Sequence, residues 1–575
     1  MAKARVADVL ARTLQSAGVR NVWGVVGDSL NGLTDALRTT PQVRWQHVRH
    51  EEVAAFAAGA EAQLTGRLAV CAGSCGPGNL HLINGLFECH RNRVPVLAIA
   101  AQIPSPELGS SYFQETHPER LFRDCSHYCE LISSPSQMPR VLEIAMRTAI
   151  AKEGVAVIVL PGDVALQEAV GRTDGTWTPI APPTILPDAR EIDRLARFLD
   201  AAERVTILAG AGTAGAHAEV LAVAEALKAP IVHTLRGKEH IEHDNPYDVG
   251  MTGLIGFASG YHAMLSCDAL LMLGADFPYR QFYPTEAKIA QIDRLGDQLG
   301  RRARLDIGLI GDLKPTLALL KGRLKPRSER GFLDRAQAHY KKARAELDAL
   351  ATGKPGRKPI HPQYLASVVD RVAAKDAIFT VDVGETTVWA ARYLKLGGGR
   401  RLLGSFLHGS MANAMPQAMG VQAAEPLRQV VSLSGDGGLS MLMGDLLSLR
   451  QLDLPVKIVV FNNGLLGFVD LEMKASGFLN VGTELVNPDF GKMAETVGLF
   501  GRCVEDPADL EGALTAAFAH DGPALVDVVT NPMELAMPPK IEAGQALGFS
   551  LYAGKAIING RGNDLVELVH TNLFR

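Results

Sequence analysis

Two polar turns carry side chains that could bind a ligand. They follow neighbouring strand-like runs in "RQVVSLSGDGGLSMLMGDLLSLRQLDLPVKIVVFNN". Asp436 ends the first run and Asn463 ends the second, with a helical stretch predicted at 439–452 between them. In a parallel sheet with helical crossovers, both strand ends emerge at the same edge. A carboxylate, an amide oxygen, flexible glycines and a helix N-terminus suit a hard cation such as Mg²⁺ with a diphosphate. Taken singly, each turn is also explained by backbone geometry.

A second candidate group is the acid pair in "RHEEVAAFAAGAEAQLT" at 49–65. Glu51 and Glu52 precede a run of small residues that predicts a helix. Acids are favoured in a first helical turn, where free N–H groups carry partial positive charge. From this segment alone, helix stabilisation is the simpler explanation of both acids.

Composition limits the class of protein that could carry these groups. The chain has 575 residues, 47% hydrophobic and 21% charged, which predicts several globular domains. The net charge of −4 gives no basic field for nucleic acid. No apolar run approaches the roughly 18 residues of a membrane span, and the N-terminus lacks a secretory pattern, so a cytoplasmic location is expected.

The cysteines favour structural thiols over a disulfide framework or a metal site. Their number, seven, is odd, and a soluble chain of 575 residues does not need disulfide bonds to fold. The pairs Cys71/Cys75 and Cys125/Cys129 are spaced by four residues rather than the usual zinc spacing. Zinc is therefore the weaker alternative.

Strand-like and helical runs alternate in three successive blocks. Continuous β-branched runs such as "VPVLAIA", "ALLMLGADF" and "VKIVVFNN" predict parallel strands covered on both faces. Pro-, Thr- and Lys-rich stretches without periodicity separate the blocks. The predicted fold is therefore α/β, with three doubly wound parallel-sheet domains at 1–172, 189–326 and 360–531. An amphipathic C-terminal tail is predicted at 532–575.

The "GDG" and "NN" motifs and the segment "RHEEVAAFAA" resemble the thiamine-diphosphate-dependent enzyme family. The resemblance implies that the three domains bind the pyrimidine ring, FAD and the diphosphate, respectively. It also implies that Glu51 enters the site of a neighbouring subunit and hydrogen-bonds N1′ of the aminopyrimidine, which promotes deprotonation of the reactive C2 carbon. Glu52 is then left as the helix-capping acid.

The same resemblance assigns further site residues. Asp436 and Asn463 would bind Mg²⁺ through side chains, and Leu465 through its main-chain carbonyl. Phe468 and Glu472, four apart on one helical face, would overlook the reacting carbon. Other cofactor contacts fall on Gly409, Ser410, Met411, Gly437, Gly438, Gly464, Leu466 and Gly467. Ser29, Phe113 and Gln114 resemble substrate-side residues of the partner subunit.

The flavin site is predicted mainly from the resemblance. The run "LAGAGTAGAH" contains G-x-G-x-x-G after a strand, but no clear acid follows about twenty residues later to bind a ribose. The segment "RLGDQLGRR" at 294–302 also lacks an expected proline, which leaves the adenosine end less defined. The family places FAD contacts on Thr252, Gly253, Leu254, Ile255, Ala275, Asp276, Phe277, Pro278, Tyr279 and Asp293.

Within the family, long runs such as "GLFECHRNRVPVLAIAAQIPS" and "GSFLHGSMANAMPQAMG" resemble the pyruvate-oxidising flavoenzymes. This implies conversion of pyruvate to acetate and CO₂, with electrons passed through FAD to ubiquinone or another membrane quinone. It also implies a homotetramer, peripherally bound at the inner face of the cell membrane. The alternative is an acetohydroxyacid synthase, which joins two 2-oxo acids without net redox change. A non-catalytic scaffold is disfavoured by the intact Glu51, Asp436 and Asn463.

The last residues, "GNDLVELVHTNLFR" at 562–575, predict an amphipathic helix. Its apolar stripe comprises Leu565, Leu568, Val569 and Leu573, with Asp564, Glu567 and His570 away from it and Phe574 and Arg575 at the end. Such a stripe commonly packs on the protein body. The resemblance adds a second state, in which flavin reduction releases the segment to bind membrane lipid.

Overall fold

The computed structural model describes residues 3–354, 357–535, 543–559 and 562–573. These residues form three six-stranded parallel sheets with helices around them. The predicted fold class, three α/β domains, is confirmed, while the domain limits inferred from the linkers remain predictions.

The first sheet has the strand order β2-β1-β3-β4-β6-β5. Its strands are β1 (Asn21–Gly24), β2 (Arg44–His47), β3 (Ala69–Gly73), β4 (Val96–Gln102), β5 (Tyr128–Leu131) and β6 (Val155–Pro161). Its helices are α1 (Val6–Ser16), α2 (Asn31–Arg38), α3 (Glu51–Thr65), α4 (Pro77–Asn92), α5 (Pro118–Leu121), α6 (Met138–Lys152) and α7 (Gly162–Leu166).

The second sheet has the order β12-β11-β10-β7-β8-β9. Its strands are β7 (Val205–Ala209), β8 (Ile231–His233), β9 (Asp248–Met251), β10 (Ala269–Leu273), β11 (Lys288–Asp293) and β12 (Ile307–Ile310). The helices are α8 (Ala189–Asp200), α9 (His217–Leu227), α10 (Leu235–Ile241), α11 (Ala258–Leu265), α12 (Leu313–Lys321) and α13 (Gly331–Leu350).

The third sheet, of order β14-β13-β15-β16-β18-β17, repeats the topology of the first. Its strands are β13 (Ile378–Val381), β14 (Arg401–Gly404), β15 (Val430–Gly435), β16 (Lys457–Asn462), β17 (Phe500–Val504) and β18 (Ala524–Val529). The helices are α14 (Pro362–Val372), α15 (Glu385–Tyr393), α16 (Ala414–Ala424), α17 (Asp436–Leu442), α18 (Leu446–Gln451), α19 (Gly467–Ala475), α20 (Phe490–Thr496) and α21 (Pro507–Ala519). Two tail helices follow, α22 (Ala543–Ile558) and α23 (Gly562–Leu573).

The helix predicted at 439–452 is interrupted by a 3₁₀ turn at Met443–Asp445. The carboxylate of Asp445 accepts the backbone N–H of Arg49 at 2.8 Å and the hydroxyl of Ser448 at 2.7 Å. The interruption therefore coincides with a hydrogen-bonded contact between the first and third domains.

The strand order explains why functional side chains gather at a few places. In an open parallel sheet, ligands bind beyond the carboxyl ends of the strands where the order reverses direction. These points lie between β1 and β3, between β7 and β10, and between β13 and β15. The second sheet has the strand order common to dinucleotide-binding domains.

The first and third domains pack closely through α3 and α16, and they share one hydrophobic core cluster. A Cβ built on Gly420 of α16 would lie 2.0 Å from the carbonyl oxygen of Ala57 in α3. Only glycine allows this approach. Small residues on both helices, such as Ala57 in α3 and Gly420 in α16, therefore allow the two domains to pack closely.

The tail helices pack against the third domain. Tyr552, Ala556 and Leu568 are buried and form a cluster with Leu479 and Met533. Phe574 and Arg575, and the side chains of Asp564, His570 and Leu573, lie outside the described residues. Among the described helices, none combines the length and apolarity needed to cross a bilayer.

Candidate active site

The structure brings the two polar turns of the third domain into direct contact. Asp436 begins α17 directly after β15, at the point where the strand order reverses. Its Oδ2 accepts the backbone N–H of Gly464 at 2.8 Å and the side-chain amide of Asn487 at 2.7 Å. Asp436 is 3% exposed, and burial raises the pKa of its carboxyl group. These hydrogen bonds fix the carboxylate beside the turn that contains Asn463.

Two further acids, which belong to neither sequence motif, lie behind these turns. Asp382 accepts the backbone N–H groups of Ala414 and Gly435, and burial raises its pKa to about 7. Glu385 accepts the side-chain amide of Asn463 at 3.1 Å, and burial raises its pKa to about 8. Both follow strand β13, so the strand-end rule that selected Asp436 could have found them.

Two glycines of this region lie where any side chain would collide with neighbouring protein atoms. A Cβ on Gly437 would lie 2.8 Å from Leu466 Cδ2, and one on Gly438 would lie 2.3 Å from Asp382 Oδ2. Gly464 has a positive φ of 67°, which glycine adopts without steric cost. Gly437 and Gly438 are therefore packed against neighbouring protein atoms and have no room for a side chain.

The predicted pyrimidine loop and helix α19 border the same region. Gly409, Met411, Phe468 and Glu472 line one cavity of about 1180 Å³. A smaller cavity beside it is lined by Met411 and by the metal and diphosphate candidates Asp436, Gly437, Gly438, Asn463, Leu465, Leu466, Gly467 and Phe468. The hydroxyl of Ser410 instead accepts a hydrogen bond from Asn84 of the first domain at 2.9 Å.

The larger cavity also reaches the second domain. Nine of the ten predicted flavin contacts line it: Thr252, Gly253, Leu254, Ile255, Asp276, Phe277, Pro278, Tyr279 and Asp293. Ala275 is buried and is not among the lining residues. The cavity therefore extends from α19 to the point where the second sheet reverses its order.

Several residues at this cavity were not predicted from the sequence to be flavin contacts. The G-x-G-x-x-G run contributes Gly212 and Gly215 to the lining, although it lacked the expected acid. Arg93 and Arg236 also line the cavity. Arg302 donates to Asp276 at 2.7 Å from the segment that departs from the family pattern. The position of these arginines at the cavity depends on how the domains pack. It could not be predicted from the local sequence around each arginine.

Glu51 lies apart from these two cavities and lines neither of them. It begins α3, is 7% exposed, and its Oε2 lies 2.9 Å from Nδ1 of His81. The ring of His81 stacks on His50 at 4.3 Å, and burial lowers the pKa of His50. Within one chain, Glu51 is therefore held at the edge of the first domain and not beside Asp436.

The predicted substrate-side residues gather at this same edge of the first domain. The hydroxyl groups of Ser29 and Ser74 lie 2.9 Å apart, and Cys75 donates its thiol to Gln114 Oε1 at 3.4 Å. A Cβ on Gly78 would touch both Glu51 Oε1 and the Ser74 side chain. Phe113 is 79% exposed.

The expectation that Glu52 caps helix α3 is wrong. His50 is the N-cap residue, and its Nδ1 accepts the backbone N–H of Glu52 at 3.2 Å. The carboxylate of Glu52 instead accepts the side-chain amide of Asn84 at 2.7 Å. The Glu52 carboxylate therefore contacts a side chain of helix α4 and not the N–H groups at the start of α3.

The residues fit Mg²⁺, a diphosphate and a dinucleotide. Asp436 and Asn463 offer the oxygen ligands that Mg²⁺ prefers, and Gly437, Gly438 and Gly467 line the same small cavity. In the second domain, Thr252 Oγ1 is buried without a hydrogen-bond partner among the described residues and belongs to a residue that lines the cavity. The fold is that of a three-domain α/β protein whose cavities have residues suited to a diphosphate and a dinucleotide.

Comparison with known families identifies that class. Models of thiamine pyrophosphate enzymes match residues 4–121 (N-terminal TPP binding domain), 192–320 (central domain) and 382–528 (C-terminal TPP binding domain). The chain belongs to the thiamine pyrophosphate-dependent enzyme family.

Individual relatives agree with this family but differ in their reactions. The chain is 62% identical to an uncharacterised 42.6 kDa protein of Pseudomonas amyloderamosa, over 62% of this chain and 91% of that protein. It is 32% identical to pyruvate oxidase of Lactiplantibacillus plantarum, over 90% of this chain and 87% of that protein. It is 30% identical to the acetolactate synthase large subunit of Parasynechococcus marenigrum, over 91% of this chain and 87% of that protein. These identities support a 2-oxo acid enzyme without resolving the reaction.

Proposed function

We propose that this enzyme oxidises pyruvate and passes two electrons through FAD to a membrane quinone such as ubiquinone. In the balanced reaction, pyruvate, water and quinone give acetate, CO₂ and quinol. Thiamine diphosphate supplies, when bound, the electron sink that decarboxylation of a 2-oxo acid requires, and FAD supplies the two-electron acceptor.

The observation that carries the proposal is the shared cavity of about 1180 Å³. Met411, Phe468 and Glu472 line its thiamine side, whereas Thr252, Asp276 and Asp293 line its side in the second domain. A common enclosure supports electron transfer from substrate to flavin without exposure of a reactive species to solvent.

Each part of the site has a proposed role in this reaction. Asp436, Asn463 and the carbonyl of Leu465 would hold Mg²⁺, and the nearby glycines would admit the diphosphate. The loop Gly409–Met411 would hold the aminopyrimidine ring, with Met411 as its apolar support. Phe468 and Glu472 would orient the substrate, because both line the cavity from one face of α19.

Glu51 would serve the site of a partner subunit, where it would exchange a proton at N1′ of the aminopyrimidine. Its position outside both cavities of its own chain supports this role. Ser29, Gln114 and the exposed Phe113 lie on the same edge and would approach the same partner site. The active unit is then at least a dimer, and a tetramer is expected from the resemblance. A fully active monomer in sedimentation under assay conditions would contradict this proposal.

The tail is proposed to dock on the enzyme at rest and to bind the inner face of the cell membrane after flavin reduction. Leu568 of the predicted stripe is 6% exposed and packs against the body, which fits a docked state. Leu547, Leu551 and Ile558, at helical spacing on α22, are 62%, 52% and 83% exposed. An apolar stripe of this kind has a favourable partner in a bilayer surface.

Helix α19 offers a route by which the active site could affect the tail. One face carries Phe468 and Glu472 toward the cavity. On the same helix, buried Lys474 pairs with Asp470 at 2.6 Å and lies 5.7 Å from the ring centre of Tyr552 in α22. If α19 moves when the substrate reduces the flavin, the contact between Lys474 and Tyr552 would weaken. Release of the tail would then be favoured.

The alternative is an acetohydroxyacid synthase, and the similar identity to an acetolactate synthase supports keeping it as a second candidate. Anaerobic mixing with pyruvate separates the two reactions. The proposed oxidase bleaches its flavin in the first turnover and recovers the oxidised spectrum when a soluble quinone is added. A flavin that keeps its oxidised spectrum while pyruvate is consumed would overturn the proposal in favour of the synthase.

A further inference from the structure

Loop 405–411, which includes the proposed pyrimidine-binding residues, is held by side chains of helix α4 in the first domain of the same chain. Asn84, Phe87 and Glu88 are spaced so that they share one face of α4. The ring of Phe87 stacks on His408 at 5.7 Å. The other two side chains make hydrogen bonds to the loop and form two separate polar connections.

The first connection runs through Asn84. Its side-chain amide donates to Glu52 at 2.7 Å and to Ser410 Oγ at 2.9 Å. Its Oδ1 lies 2.9 Å from Nε2 of His408. Because an amide oxygen can only accept, Nε2 of His408 carries the proton of this hydrogen bond. Burial lowers the pKa of the His408 ring. Both polar atoms of the Asn84 side chain are therefore hydrogen-bonded to the loop, and the amide nitrogen is also bonded to Glu52.

The second connection runs through Glu88, which is 2% exposed. One carboxylate oxygen accepts the Ser405 hydroxyl at 2.5 Å, and the other accepts the Asn92 amide at 2.5 Å. The hydroxyl oxygen of Ser405 also accepts the backbone N–H of Ser410 at 2.9 Å. A carboxylate at position 88 thus fixes the direction of the Ser405 hydroxyl group, which in turn holds the backbone of the loop.

We propose that Asn84 and Glu88 are positioning residues that fix loop 405–411 for the pyrimidine end of the cofactor. This inference depends on the proposed function, in which Gly409–Met411 holds the aminopyrimidine ring. Under that proposal, Glu51 serves a partner's site while the adjacent Glu52, through Asn84, orients the loop of its own chain. The first turn of α3 then contributes to two active sites of one dimer.

The test compares two ligands in the full-length protein. Thiamine diphosphate occupies both ends of the proposed site, whereas inorganic pyrophosphate with Mg²⁺ occupies only the end near Asp436. Glu88→Gln keeps the shape of the side chain but replaces one acceptor by a donor. Asn84→Ala removes the first connection, and Leu80→Ala on the same helix, at a side chain 44% exposed, is the matched control.

Binding of each ligand is measured by titration calorimetry, independently of turnover. Both Glu88→Gln and Asn84→Ala are expected to weaken thiamine diphosphate about tenfold to a hundredfold, as for loss of one hydrogen bond to a charged or buried group. Pyrophosphate binding should stay within about twofold of wild type, because the contacts of Asp436 are unchanged. Leu80→Ala should bind both ligands as wild type does.

Equal weakening of both ligands would overturn the inference, because it would indicate general support of the fold. Unchanged binding of thiamine diphosphate in both variants would overturn it as well. Failure of the wild-type protein to bind thiamine diphosphate would instead refute the proposed function on which the inference depends. A wild type that binds both ligands but does not reduce its flavin with pyruvate would refute only the proposed reaction.

Discussion

Replacement of Tyr552 by alanine should release the C-terminal helices without substrate. Tyr552 is 1% exposed, and its ring centre lies 5.7 Å from Nζ of Lys474. In the released state its ring would be accessible to solvent, so the substitution destabilises mainly the docked state. Truncation of a buried aromatic side chain typically costs about 3–5 kcal/mol. A change of about 3 kcal/mol shifts the equilibrium between docked and released states by about two orders of magnitude.

Two assays measure this shift, namely flotation with liposomes and limited proteolysis, each carried out with and without pyruvate. The following result for Tyr552→Ala is expected without pyruvate. Tyr552→Ala should float and be cleaved near its C-terminus, whereas wild-type protein should need pyruvate for either. Leu547→Ala is the matched control, because Leu547 is 62% exposed on the same helix. It should leave proteolysis unchanged and weaken flotation in the presence of pyruvate. If Tyr552→Ala without pyruvate resists the protease as well as wild type does, the proposed docking is refuted.

Three other substitutions or deletions test separate parts of the site. Glu51→Gln should lower turnover about 10²–10⁴-fold, as for loss of one general acid or base, and near-normal turnover with cofactor bound would remove Glu51 from the mechanism. Asp436→Ala should lose Mg²⁺ and thiamine diphosphate but keep FAD, measured by cofactor analysis of the purified protein, because the flavin contacts lie in another domain. Loss of both cofactors from a protein still folded by circular dichroism would count against that separation. Deletion of about two dozen C-terminal residues, the length of an interfacial segment, should keep flavin reduction by pyruvate and raise activity with a soluble acceptor. The truncated protein should lose flotation and reduce membrane quinone more slowly, and equal flotation with pyruvate would refute the role of the tail.

The fold could be predicted because burial on both faces forces parallel strands to be continuously apolar. The runs around Val459 and Ile99 have this character, and each forms a central strand whose apolar residues are all buried. The proximity of the Asp436 and Asn463 turns was also predictable, since successive parallel strands end at one edge of the sheet. These inferences needed only local pattern and topology.

Contacts between domains could not be predicted in the same way. Asn84 and Ser410 are separated by 326 positions, and nothing in their local sequence signals the hydrogen bond between them. Helix-end statistics favoured a capping role for Glu52, but tertiary packing gave it a partner on α4. In the tail, Leu568 of the predicted stripe is buried, whereas Val569 of the same stripe is 37% exposed. A more exposed apolar stripe lies on α22, outside the predicted amphipathic segment at 562–575.

The most direct test of the proposed reaction is its stoichiometry in liposomes that contain ubiquinone, measured anaerobically with labelled pyruvate. Oxidative decarboxylation predicts one acetate and one CO₂ for each quinone reduced, with no five-carbon product. Formation of one acetolactate and one CO₂ from two pyruvate molecules, with the quinone still oxidised, would contradict the account.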